Sequence, residues 1–373
     1  MAEIEVVGTG LIYRNPKPHL RSRQAFFPSL ALLPGGDLLA AFGLGSAFES
    51  VDAHTVLARS RDEGQTWAPP GTIGEGSASG PASSNVRIGL MPDGELVAAG
   101  ARWDRTRTEE GLTNPATLGF VPTELILLRS RDDGRSWEGP RVIDPPLVGP
   151  SFEVCSPIVP LRDGRWLWPT STWRGWDGAC PHGMKAIALV SGDRGRTWPG
   201  YLDVMDGTAE EVVYWEQKLI ELDDGRLLAV CWTHDLGHGE DREVHHAVST
   251  DGGRHFSPPR PTGLHGQTTT PLDLGGGRIL CVYRRSDRPG LWASRCRLSG
   301  DRWEQEAEAP LWGTSDRPET EAPGRSIVEA MSALRFGLPA SLRLPGGDVL
   351  TAFWGVEDCM SVIRWFRLRT LRA

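Results

Sequence analysis

The sequence predicts an all-β fold built from six four-stranded blades, and three observations support it. The 373-residue chain is rich in turn-forming and aromatic residues, with 45 Gly, 29 Pro and 15 Trp. One β-hairpin pattern recurs six times, and a second turn pattern recurs four times in step with it. Apolar stripes with the 3.6-residue period of a helix are hard to find. Many short strands separated by tight turns are therefore expected.

The repeated hairpin consists of an apolar run, two turn residues, Gly, one polar residue and a second apolar run. Its six copies, in chain order, are SLALLPGGDLLAAF, VRIGLMPDGELVAAG, SPIVPLRDGRWLWP, KLIELDDGRLLAVCW, TPLDLGGGRILCVY and ASLRLPGGDVLTAFW, with turn glycines Gly36, Gly94, Gly164, Gly225, Gly277 and Gly347. Gly supplies the positive φ that such a turn needs. The distance between copies leaves room for two more strands per hairpin, so each copy predicts one four-stranded blade. We expect the six glycines to lie at equivalent hairpin tips.

The second motif reads Ser-x-Asp-x-Gly-x-x-aromatic and follows each of the first four hairpins. Its copies are SRDEGQTW from Ser60, SRDDGRSW from Ser130, SGDRGRTW from Ser191 and STDGGRHF from Ser249, with a degraded fifth copy, LSGDRW, near Asp301. An Asp carboxylate that accepts backbone N–H groups stabilises the turn, and the aromatic side chain packs under the loop. We therefore expect Trp67, Trp137 and Trp198 to be substantially buried.

These turns resemble the Asp-box of the sialidase (neuraminidase) superfamily, and the hairpins cover essentially the whole chain. The resemblance implies a sialidase-like, six-bladed β-propeller of four-stranded antiparallel blades, formed as a single domain over residues 1–373. It also implies that the Asp-boxes are structural turns on the outer face, between the third and fourth strands. Propellers usually close by pairing the N-terminal segment with the last blade. The segment Glu3 to Tyr13 is therefore expected beside VIRWFRLRTL near the end of the chain.

The composition excludes several classes of function. The chain has 40 Lys+Arg against 48 Asp+Glu, a formal charge of −8, and this argues against nucleic acid as a partner because phosphate binding needs a basic face. No apolar run is long enough to span a membrane, and the first residues show no signal peptide, so we expect a cytoplasmic protein. The six cysteines are scattered without metal-binding spacing, and we expect neither a metal nor a cofactor.

Candidate site residues follow from the fold, because the innermost strand of each blade lines a central channel. Glu153 and Glu216 lie at the starts of inner strands. An unpaired carboxylate at such a buried position is costly, so each is expected to have a partner or a ligand. Asp52 lies in the loop that follows the first hairpin. Asp52 and Glu216 could form a carboxyl pair in which one is the general acid and the other the base or nucleophile of a hydrolase, and Glu153 has a position similar to that of Glu216.

Cationic and aromatic side chains at similar positions suit a sugar, especially an anionic one. Arg binds a carboxylate through two parallel hydrogen bonds, and indole rings stack on sugar rings. The predicted substrate-binding residues are Arg23, Arg87, Arg102, Trp173, His234, Gln267, Arg284 and Arg285. Arg284 and Arg285 point to opposite sides of an extended strand, so at most one of them faces the channel.

The sialidase resemblance implies three arginines on the substrate carboxylate, a Tyr nucleophile activated by a Glu, and an Asp acid or base on a first-blade loop. The match is partial. Glu216 lies where the family's Glu is expected and Asp52 lies on a first-blade loop, but the sixth blade offers Phe336 and Leu338 in place of the Tyr. Tyr214, close to Glu216, is the remaining candidate tyrosine. The sequence thus predicts an exo-acting, sialidase-like glycoside hydrolase for an acidic or otherwise unusual sugar. A sugar-binding propeller without catalysis and a purely structural scaffold are the alternatives.

Overall fold

The computed structural model describes residues 4–74, 80–149, 151–314 and 334–370. These ranges contain 26 strands in six antiparallel sheets and a single 3-10 turn at Thr208–Glu210. Among them, no helix is long and apolar enough to cross a membrane. Each sheet is one blade, and the first strands of neighbouring blades contact one another around a central axis. The predicted six-bladed propeller of four-stranded antiparallel blades is confirmed.

Hydrogen-bonded neighbours within a blade follow the order of the sequence. The first blade contains β2 (Gln24–Leu32), β3 (Leu38–Gly45), β4 (His54–Ser60) and β5 (Gly71–Thr72). The second contains β6 (Ala82–Leu90), β7 (Leu96–Asp104), β8 (Thr123–Ser130) and β9 (Glu138–Ile143). The third contains β10 (Ser151–Glu153), β11 (Val159–Pro160), β12 (Trp166–Trp173), β13 (Ala186–Ser191) and β14 (Gly200–Met205).

The remaining three blades complete the ring. The fourth contains β15 (Val212–Glu221), β16 (Leu227–Asp235), β17 (Glu240–Asp241), β18 (His245–Ser249) and β19 (Arg260–Pro261). The fifth contains β20 (Gly266–Gly275), β21 (Arg278–Arg285), β22 (Leu291–Ser299) and β23 (Arg302–Trp312). The sixth combines β24 (Phe336–Arg343), β25 (Val349–Glu357) and β26 (Met360–Thr370) with β1 (Ile4–Tyr13).

The ring closes between the two ends of the described chain. β1 pairs antiparallel with β26, with Ile4 opposite Thr370 and Tyr13 opposite Ile363. β1 is therefore the outermost strand of the sixth blade, as the sequence predicts.

Five of the six repeated hairpins end in the same turn. In the first, Gly36 has a φ of 91° and its N–H donates to Leu33 O at 2.9 Å. Equivalent turns place Gly94, Gly164, Gly225 and Gly347 at the other tips. The fifth hairpin departs from the prediction, because Gly275, Gly276 and Gly277 all have positive φ and form a tighter turn. Three consecutive glycines permit backbone conformations that the other five sequences do not.

The Asp-boxes join the third and fourth strands of blades one to four. In the first, the Asp62 carboxylate accepts hydrogen bonds from Ser60 Oγ at 2.7 Å, Thr66 N at 2.8 Å and Thr66 Oγ1 at 2.5 Å. The N–H of Gly64 in turn donates to Ser60 Oγ at 2.9 Å. The hydrogen bonds from Thr66 and Ser60 lower the pKa of Asp62 to about 2. A carboxylate occupied in this way stabilises its own turn.

Arginines connect the corresponding turns of blades two to five to the preceding blade, and we call these contacts the arginine bridges. Each of the four arginines donates from its guanidinium to a backbone carbonyl of the next blade's turn. The bridges are Arg59 to Asp133 O, Arg129 to Arg194 O, Arg165 to Gly252 O at 2.6 Å and Arg226 to Gly300 O at 2.6 Å. They add directional polar contacts to the apolar core between the blades.

The Asp-box tryptophans are buried to different degrees. Trp198 is only 4% exposed and its ring lies 5.8 Å from that of Trp168, in the core between blades two and three. Trp67 and Trp137 are half-buried, which corrects the prediction for these two residues. The Trp67 indole N–H donates to Gly64 O within its own turn at 3.0 Å, so this ring stays at the edge of the blade.

We expect Trp198→Ala to lower the free energy of unfolding by about 3–5 kcal/mol, the range for removal of a buried aromatic ring. Trp67→Ala should cost clearly less, because its ring is already in partial contact with solvent. Urea titration followed by far-ultraviolet circular dichroism measures both. Equal losses in the two variants would contradict this assignment of the core.

Candidate functional site

Four of the inner strands carry the same irregularity near their starts. The pairing register shifts between Phe26 and Ser29 in β2, and at matching places in β15, β20 and β24. The residues at these bulges are Phe27, Glu216, Thr268 and Leu338, with φ between 43° and 57°. Positive φ is uncommon for residues other than Gly, and a bulge changes the direction of a side chain. Phe27, Glu216 and Leu338 thereby come to line one cavity.

This cavity, here called the main cavity, has an empty volume of about 1000 Å³, part of it open to solvent. Its wall is largely apolar and includes seven aromatic residues, Phe26, Phe27, Phe48, Trp103, Phe120, Phe152 and Trp215. Its charged lining residues, within the described ranges, are Glu49, Arg87, Glu153 and Glu216. An apolar wall with a few converging polar groups is typical of a small-molecule site.

Glu153 and Glu216 meet in the main cavity. The backbone N–H of Glu216 donates to Glu153 Oε2 at 3.1 Å. Burial, and then the nearby charge of Glu153, raise the pKa of Glu216 to about 7. Glu216 Oε2 is buried and has no hydrogen-bond partner among the described residues. Glu216 is therefore suited to carry a proton near neutral pH and to donate it.

Two buried cations lie next to this pair and are held by neutral groups. Arg87 NH1 donates to Phe27 O at 2.9 Å and also to Asn85 Oδ1. Lys218 Nζ donates to Cys155 O at 2.6 Å and to Cys155 Sγ at 3.0 Å. Burial raises the pKa of Glu153, and the charge of Lys218 is the strongest influence in the opposite direction. Lys218 thus favours ionised Glu153 beside protonated Glu216.

A third buried cation, Arg284, is held by a network from blades four and five. Its Nε donates to Gln267 Oε1 at 2.7 Å, and the Gln267 amide donates to Asp241. The Asp241 carboxylate also accepts from Trp232 Nε1 at 2.7 Å and lies 2.8 Å from His234 Nδ1. Gln267 and His234 therefore support Arg284, and neither lines the main cavity. In the described ranges, no group of three or more His, Cys, Asp or Glu side chains is arranged to hold a metal ion.

The first-blade loop directs Glu49, and not Asp52, into the main cavity. The Asp52 carboxylate accepts from Ser46 N and Ser46 Oγ, both at 2.9 Å, and thereby closes its own loop. Glu49 is more deeply buried, and burial raises the pKa of its carboxyl group although Leu112 N donates to it at 2.8 Å. The expectation that Asp52 lies at the channel mouth is corrected. Phe48 and Glu49, which stand next to each other in this loop, were not among the predicted site residues.

Tyr214 also lies away from the main cavity, which corrects the prediction that it belongs to the site. Successive residues of β15 point to opposite faces, so Trp215 lines the cavity whereas Tyr214 does not. The Tyr214 ring packs in the core between blades three and four, with Leu167 and Val204, and lies 5.8 Å from the ring of His245.

Three of the predicted substrate-binding arginines are placed elsewhere. Arg102 forms an ion pair with Glu124 at 2.6 Å, across β7 and β8. Arg285 pairs with Asp287 at 2.5 Å on the side of β21 opposite to Arg284. Arg23 lies close to Tyr13 and does not line the main cavity. The structure therefore brings Arg87 into the cavity wall, with Arg284 and Lys218 close to the carboxyl pair.

Trp173 supports the aromatic wall from behind. Its ring stacks between Phe120 at 5.5 Å and Trp215 at 5.2 Å, and both of these rings line the main cavity. The Trp173 indole N–H donates to Leu118 O at 2.7 Å. The predicted substrate contact is thus replaced by a buried stack that holds the wall in place.

The chain is similar to proteins whose fold is known. Residues 36–309 match the model of the BNR repeat-like domain family. A protein of unknown function from Dyadobacter fermentans is 22% identical over 99% of both chains, with a TM-score of 0.75. The NanB sialidase of Streptococcus pneumoniae and a leech intramolecular trans-sialidase are each 13% identical, with TM-scores of 0.66 and 0.64. These two matches cover 96% and 98% of this chain and 70% of the other chain in each case. No curated protein matches the chain.

We expect Glu216→Gln to stabilise the protein at pH 8 by about 3 kcal/mol and to have little effect at pH 4. The pKa of Glu216 is raised in the folded state, so the folded protein loses stability as the pH rises from the unfolded value to about 7. Gln carries no charge and avoids this loss. Urea titrations at pH 4, 6 and 8 measure the effect, with Glu304→Gln on the exposed face of β23 as the control. The same difference at all three pH values would contradict the assigned protonation.

Proposed function

The chain belongs to the BNR repeat-like domain family, and from this membership and its buried carboxyl pair we propose that it is a sialidase-like glycoside hydrolase for an unusual sugar. The family match spans residues 36–309 of 373, and the six-bladed fold is shared with sialidases. The resemblance of the Asp-boxes to the sialidase superfamily is thereby confirmed. The reaction and the substrate form the proposal.

The observation that carries the proposal is the pairing of Glu153 with Glu216 in one cavity. Glycoside hydrolysis requires a carboxylic acid that protonates the leaving oxygen and a second carboxylate that acts as base or nucleophile. Glu216, with a pKa raised to about 7, is the acid in this proposal. Glu153, which accepts from Glu216 N and whose pKa is lowered by the charge of Lys218 against the effect of burial, is the second carboxylate in this proposal. The contrast between their environments assigns the two roles.

The wall of the main cavity supports a carbohydrate as the ligand. Sugars present C–H faces that pack on aromatic rings and hydroxyl groups that bond to carboxylates. Both kinds of partner line this cavity. The leech protein of the same fold is described as a trans-sialidase complexed with 2,7-anhydro-Neu5Ac.

The charge of the sugar is a separate part of the proposal. Arginines at inner-strand positions predict an anionic sugar. In the described cavity wall, however, Arg87 lies among the carboxyl groups of Glu49, Glu153 and Glu216. Arg87 is also occupied by Phe27 O and Asn85. This arrangement favours a neutral, hydroxyl-rich sugar over an anionic one.

A panel of nitrophenyl glycosides, with neutral sugars, a glucuronide and a sialoside, tests the activity and the charge preference together. We expect hydrolysis of at least one neutral glycoside. Glu216→Gln and Glu153→Gln should each lower kcat by about 100-fold or more, the range for loss of a general acid or base. Glu304→Gln is the matched control, since its carboxyl group is exposed on β23.

The dependence on pH adds a second measurement on the same substrate. Activity should fall as the pH rises through about 7, because Glu216 then loses the proton that it donates. Sugar binding without hydrolysis of any glycoside would instead favour the non-catalytic binding propeller. Full activity in Glu216→Gln would overturn the assignment of the acid.

Tyr214→Phe separates this mechanism from one that uses a tyrosine nucleophile. The Tyr214 ring lies in the core between two blades, so we expect kcat to change less than about twofold. Removal of the nucleophile itself would instead abolish turnover, as for any covalent mechanism. The comparison of kcat in wild type and Tyr214→Phe on the best glycoside decides between the two.

A further inference from the structure

A second cavity adjoins the main cavity at the mouth of the channel. It has an empty volume of about 1140 Å³, part of it open to solvent. Its lining comes from two loops, residues 47–51 after β3 and residues 105–113 after β7. Phe48, Glu49, Ser50 and Thr113 line both cavities. The two cavities are therefore separated by one layer of side chains.

The second cavity is lined by a buried cation with unused donors. Arg105 is 2% exposed, and its NH2 donates to Glu49 O at 2.9 Å and to Glu110 O at 3.0 Å. Its Nε and NH1 have no partner among the described residues. The hydroxyl of Thr113, which is 7% exposed, is equally unpartnered in the described ranges. Buried donors of this kind are costly unless an acceptor satisfies them.

The loops that carry these donors are held to each other independently of any ligand. The Glu49 carboxylate accepts from Leu112 N at 2.8 Å, which joins the first-blade loop to the second-blade loop. At Gly111, an added Cβ would lie 2.6 Å from Glu49 Oε2, so a larger residue there would displace this carboxylate. The site is thus built by packing between two blades.

We propose that the second cavity binds a second sugar residue, linked to the one in the main cavity. This inference rests on the proposed function. Nε and NH1 of Arg105 and the hydroxyl of Thr113 match the oxygen acceptors of a sugar. The carboxylates of Glu109 and Glu110, which also line this cavity, would accept from its hydroxyl groups and disfavour an anionic unit. The preferred ligand is therefore a neutral oligosaccharide and not a single sugar.

Calorimetric titration of the Glu216→Gln protein, which prevents turnover, tests the second site with matched ligand pairs. The pairs are methyl β-glucoside with cellobiose, methyl β-galactoside with lactose, and N-acetylglucosamine with its β-1,4-linked dimer. We expect at least one disaccharide to bind about tenfold more tightly than its monosaccharide. Thr113→Val in the same background should reduce this gain, the ratio of the two affinities, roughly fivefold, the usual effect of one lost hydrogen bond.

Thr113→Ser is the matched control because it retains the hydroxyl, and it should keep the disaccharide gain. The melting temperature of Thr113→Val should match that of the parent, since the hydroxyl has no partner to lose. Equal affinity for the two members of every pair, or an undiminished gain in Thr113→Val, overturns the second site and leaves the proposed function intact. If neither member of any pair binds, both proposals fail.

Discussion

The pairing of β1 with β26 is the contact on which the arrangement of the site depends, because a ring of blades holds its shape only when its ends are joined. The main cavity takes its wall from blades one, two, three, four and six. Glu153 and Glu216 belong to different blades and approach each other because both inner strands begin at the same end of the channel. Blades three and four are neighbours and bring the two carboxyl groups together, and closure of the ring adds the wall residues of blades one, two and six around them.

The carboxyl pair is tolerated in an apolar cavity because three cations lie around it without neutralising it directly. Arg87, Lys218 and Arg284 donate hydrogen bonds to backbone carbonyl or side-chain amide oxygens. Their charges act through space. Glu216 Oε2 has no hydrogen-bond partner among the described residues. The left-handed backbone conformation at Glu216 costs conformational free energy, which the contacts of the surrounding sheet offset. At Glu216, the unfavourable burial and backbone conformation are therefore offset by the nearby positive charges and by the contacts of the sheet.

The fold could be predicted from the sequence more completely than the site, and the reason is physical. Turns such as those at Gly36 and Asp62 are local, so a few neighbouring residues determine their conformation. The orientation of Tyr214 and Glu216 depends instead on a bulge that the sequence does not reveal. The choice of Glu49 over Asp52 depends on contacts with the second blade. Glu153, Glu216 and Arg87, which line the main cavity, could be predicted as candidates because they lie at inner-strand positions, which the repeat defines.

The arginine bridges use backbone carbonyl groups, and every residue type presents one. Arg226 reaches Gly300 O in the fifth blade, where the Asp-box has lost most of its characteristic side chains. The side chains of the motif thus stabilise their own turn, whereas the arginine of the neighbouring blade needs only a backbone carbonyl group at the right position. A blade can diverge beyond recognition in sequence and still remain joined to the ring. Counting Asp-boxes in a related sequence consequently gives a lower bound on the number of blades.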